Sequence, residues 1–64
     1  LFMKTILETR AAVDACIVAV AKTLKEASDT GNKKAYKAMV AALVPLGDLG
    51  VSVDELAQEL EEQS

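Results

Sequence analysis

Ala11-Ala12-Val13-Asp14-Ala15-Cys16-Ile17-Val18-Ala19-Val20-Ala21 is apolar at every position but Asp14. The stretch sits inside a longer helical pattern. Met3, Arg10, Ile17 and Leu24 fall seven apart, and so do Ile6, Val13, Val20 and Ala27. The two series interleave as the a and d positions of a heptad repeat, broken only by Arg10. They predict a helix of about 25 residues within 3–28, roughly 37 Å long at 1.5 Å per residue. A surface helix needs one apolar stripe, whereas one that is apolar nearly all round is buried on more than one side. Ala11, Ala12, Ala15 and Ala19 would let another helix approach closely, and Val18 lies off the heptad stripe.

Two clusters of turn-forming residues divide the rest of the chain. Ser28-Asp29-Thr30-Gly31-Asn32 ends the first helix, with Gly31 as its left-handed residue and Thr30 or Asn32 as the next N-cap. A second helix is expected over 33–44, carrying Tyr36, Val40 and Leu43 on one face with Met39 and Val44 beside them. Pro45 disfavours helical geometry at Val44, and Pro45-Leu46-Gly47-Asp48-Leu49-Gly50 reads as a connector. Ser52-Val53-Asp54-Glu55 then reads as a capping box, stapled by Val51 and Leu56, opening a third helix over 53–62. Its tail, Glu61-Glu62-Gln63-Ser64, is expected to fray. No run alternates strictly enough to suggest a strand. The expectation is one all-α domain over 1–64, a long N-terminal helix plus two shorter ones forming a small bundle completed by oligomerisation.

Composition explains why a partner is invoked. The chain has 64 residues, 52% apolar, which is too many for a disordered segment. A chain this short buries only about 60% of its unfolded surface and usually needs a disulfide, a metal or a partner. One Cys and no His leave no internal disulfide and no zinc ligand set. A homo-oligomer, dimer or tetramer, is the remaining route, with Ile6, Val13, Ile17, Val18, Val20 and Leu24 as its expected interface. The longest stretch without charge, residues 38–47, is too short for a membrane span of about 20 residues and contains Pro45. The chain is therefore expected to be cytoplasmic, with Met3 as its natural start.

Catalytic chemistry has little to draw on. The usual general base at neutral pH, His, is missing. Cys16 lies among Ala15, Ile17 and Val20 and reads as a small buried hydrophobe. Tyr36 reads as half-buried, with its hydroxyl at the rim. The glycines Gly31, Gly47 and Gly50 suit turns better than a phosphate loop. Asp54, Glu55, Glu59, Glu61 and Glu62 lack calcium-loop spacing and read as a solvated acidic face. No enzyme activity, cofactor or metal is expected.

Charge is polarised along the chain. Residues 1–47 hold all seven basic residues and four acidic ones, a balance of +3; residues 48–64 hold six acidic residues and none basic, a balance of −6. Lys22, Lys25, Lys33, Lys34 and Lys37 gather around Gly31 and could contact an anion or nucleic acid. No Arg or aromatic residue stands with them in that role to read or stack on bases. Residues 46–60 resemble a helix-turn-helix, with Leu49-Gly50-Val51 as the turn. Its second helix would present Asp54, Glu55 and Glu59 to phosphates, which is electrostatically wrong. The expected function is a non-enzymatic helical module that self-associates and engages a protein partner. The alternative is a small dimeric nucleic-acid-associated regulator using the lysines around the first turn.

Overall fold

The computed structural model describes residues 2–63, which form two helices, α1 (Phe2–Asp29) and α2 (Lys33–Gln63), folded back on each other as a hairpin. Leu1 and Ser64 lie outside the described residues. The hairpin measures 49 × 15 × 11 Å. Its radius of gyration is 14.8 Å, against about 11 Å for a compact domain of this length.

The heptad reading of α1 finds its buried face. Ile6, Val13 and Ala27 are buried, while Met3, Arg10, Ile17, Val20 and Leu24 are half-buried. Every other position of α1 from Lys4 to Asp29 is exposed. The stripe packs along α2, where Met39, Leu46, Val53 and Leu60 fall seven apart and interleave with Leu43, Gly50 and Ala57. Ala57 is the most enclosed residue, at 1% exposure. Arg10 takes its heptad place by turning its guanidinium to Asp54, with Nε 3.9 Å from Oδ1. Both side chains remain substantially wetted, so the pair contributes under about 1 kcal/mol.

The turn is built as its residues dictate. Gly31 adopts φ +70°, the left-handed conformation that costs glycine least. The Gly31 N–H donates to the Ser28 carbonyl (3.2 Å) and the Asn32 N–H to the Ala27 carbonyl (2.9 Å). Those are the two bonds of a Schellman motif. Asn32 then caps α2, its Oδ1 accepting from the Ala35 N–H at 3.0 Å. Lys33, Lys34 and Lys37 stand at the positive end of α2 but beside the negative C-terminus of α1, so the two helix dipoles offset there.

The expected third helix does not exist as a separate element. α2 runs unbroken through Pro45, Gly47, Gly50 and the supposed capping box at Ser52. There is consequently no turn at Leu49-Gly50-Val51 for a helix-turn-helix, and the tail stays helical through Gln63. The physical reason is the heptad phase. Leu46, Gly50, Val53 and Ala57 all meet α1, and leaving the helix at Pro45 would take them out of register. Pro45 and Ala41 are both exposed, so water can reach the Ala41 carbonyl that loses its i+4 donor. Gly50 sits against α1, where an added Cβ would stand 3.7 Å from Ile17 Cδ1 and 3.8 Å from Val13 Cγ1. With no chain break before it, Ser52 is an exposed mid-helix residue, and Val51 and Leu56 are exposed instead of stapled.

Candidate functional site

Among the described residues no group of three His, Cys, Asp or Glu side chains could hold a metal ion, and no polar side chain is buried. Cys16 is exposed, one position outside the heptad stripe, rather than buried as its apolar neighbours suggest. Tyr36 is also exposed, at the turn end. No described helix is long and apolar enough to cross a membrane.

The expected interface residues divide sharply. Ile6 and Val13 are buried, and Ile17, Val20 and Leu24 half-buried, all in the seam between α1 and α2 of one chain. Val18 alone stands outside it, 54% exposed. Lys22, Lys25, Lys33, Lys34 and Lys37 are all exposed and gather at the turn end. Lys33 and Lys37 border an open groove of about 350 Å³ whose floor includes Ala27, Gly31 and Tyr36.

The apolar surface that remains outside the seam is concentrated on one flank. Heptad letters make this visible: with a and d in the seam, e and b follow on one side and g and c on the other. In an antiparallel pair the e edges of both helices face the same way, as the reach of Arg10 (a) to Asp54 (e) shows. On that flank α1 places Leu7, Ala11, Val18 and Ala21, and α2 places Val40, Val44, Gly47 and Val51. The α2 residues form an unbroken i, i+4, i+7, i+11 stripe. Val44 is 64% exposed and Val51 58%. Of the large apolar side chains that are exposed among the described residues, only Leu49 and Leu56 fall on the opposite flank. Asp14 is the one charge within the central stretch, residues 7–21 and 40–51 of the e and b lines. The valine stripe of α2 was hidden in the sequence by the apparent connector; its signal is the unbroken heptad phase across Pro45.

Charge marks the two ends of the hairpin. Around the turn, residues 22–37, five lysines outweigh Glu26 and Asp29 for a balance of +3. At the open end, Lys4 and Arg10 face Glu8, Asp54, Glu55, Glu59, Glu61 and Glu62, a balance of −4. The chain exposes 4873 Å² in all. A typical folded monomer of 6.8 kDa exposes roughly 3950 Å², so the hairpin carries about 900 Å² more.

Comparison with protein-family models, curated proteins and solved structures gives no match to this chain.

Proposed function

We propose that this chain is a non-enzymatic helical module that self-associates and acts through protein–protein contact. The observation that supports the reading is the exposed aliphatic flank. Isolated exposed apolar residues are ordinary, but Val18, Val40, Val44 and Val51 on two adjacent helices form a contiguous surface. The scarcity of chemistry elsewhere points the same way. Two hairpins meeting by such a flank make a four-helix bundle, which encloses what each leaves open.

Val18→Asp tests this reading. Val18 is outside the intrachain seam, so the variant should keep its helicity by circular dichroism while losing association by sedimentation. An associated Val18→Asp protein with unchanged mass would refute the assignment of this flank.

A second reading, nucleic-acid association, draws on the five lysines gathered at the turn end. Duplex DNA binding that weakens steeply with salt, and is lost on replacing Lys33 and Lys34, would favour it. Binding indifferent to either change would dismiss it.

A further inference from the structure

We infer that the occupant of the exposed flank is a second copy of this chain docked antiparallel, with the turn of each hairpin against the open end of the other. The inference rests on the self-association reading and adds the orientation of the copies and the surface that joins them. Two copies of one face can meet about a two-fold axis in only two ways along a 49 Å rod: turn beside turn, or turn beside open end. Helix direction does not choose between them, because neighbouring helices run antiparallel in both. Charge does. On the e and b lines of the flank itself, Lys25, Lys33 and Lys37 give +3 at the turn end and Lys4, Asp54 and Glu61 give −1 at the open end. Turn beside turn therefore sets +3 against +3, whereas the antiparallel arrangement sets +3 against −1 at both ends.

Apart from Asp14, which falls near Val18 of the other chain, the centre of the flank is apolar and fits the same arrangement. The axis then crosses near the middle of both helices, so α1 runs along its own copy and α2 along its own. Val44 of one chain falls near Val51 of the other, and Ala11 near Ala21, which lets the backbones approach closely. Gly47 lies near the axis with nothing within 4 Å of an added Cβ, an opening that a partner side chain can fill. The hairpin as a whole exposes about 900 Å² more than a typical monomer of its mass, spread over the entire rod, and a stable interface buries roughly 800 Å² per partner.

The test combines solution mass with an intermolecular distance. In a Cys16→Ser background, Thr30→Cys at the turn is labelled with a nitroxide, and the label–label distance is read by pulsed electron resonance. The antiparallel dimer should give more than about 40 Å, because the two turns lie at opposite ends of rods 49 Å long. Turn-beside-turn packing, with helices about 8–10 Å apart, should give less than about 25 Å. Val44→Asp should abolish association, while Leu49→Asp on the opposite flank should leave it intact. Affinity should also fall several-fold between about 0.05 and 0.5 M salt as the end charges are screened. A dimer with the short distance, or with affinity indifferent to salt, overturns the orientation alone. Dissociation by Leu49→Asp and not by Val44→Asp overturns the flank alone. A mass of 6.8 kDa at every concentration overturns the self-association reading itself.

Discussion

Glycine does opposite work at its three positions in this chain, and each can be tested singly. Gly31 needs its positive φ to close the turn, so Gly31→Ala should destabilise the hairpin by about 1–2 kcal/mol. Gly47 and Gly50 are mid-helix residues with room for a Cβ, so Gly47→Ala and Gly50→Ala should each stabilise by about 1 kcal/mol. Thermal denaturation at one fixed protein concentration measures all three, with about 4–8 °C of shift per kcal/mol for a domain of this size. A loss of helicity for Gly47→Ala in the non-associating Val18→Asp background would place that residue in a turn and contradict the continuous helix. At this scale the sequence was legible where local chemistry decides the outcome. Gly31 read correctly and Asn32 was one of the two N-cap candidates, because the left-handed residue and the N-cap depend on their immediate neighbours. Cys16 did not, because its exposure depends on falling one step outside a seam set by the opposite helix.

Element boundaries show why local signals can mislead. Pro45, Gly47, Gly50 and the Ser52–Glu55 box each favour a break, yet α2 runs through all of them. A capping box lowers the free energy of a helix start only if the chain has already left the helix. Here the packing of Leu46, Val53, Ala57 and Leu60 against α1 keeps it helical. The seam of α1 was readable residue by residue, since nothing interrupts its heptads but Arg10. The seam of α2 has the same spacing, but its recognition requires counting sevens across a proline. If α2 is continuous, Pro45 remains a local liability, and Pro45→Ala should stabilise the hairpin by up to about 3 kcal/mol without adding a new element. Circular dichroism and thermal melts check this: helicity nearly unchanged with a higher melting temperature is expected. A large gain in helicity would mean that the chain around Pro45 was not helical before.

The whole molecule is a rod with one seam satisfied inside the chain and one aliphatic flank left to water. The sequence carried the surplus of apolar side chains and the opposite charges of its two ends. It could not assign that surplus to a face, because which residues remain exposed depends on which ones the intrachain pairing uses. Ile6, Val13, Ile17, Val20 and Leu24 are consumed by the hairpin, and Val18 joins the valines of α2 outside it. Function by self-association therefore rests on what those valines do in solution. Sedimentation equilibrium of the unaltered chain, over a wide concentration range at low salt, tests it most directly. A mass of twice 6.8 kDa that falls toward the monomer on dilution is expected. A helical species that stays at 6.8 kDa throughout would contradict it.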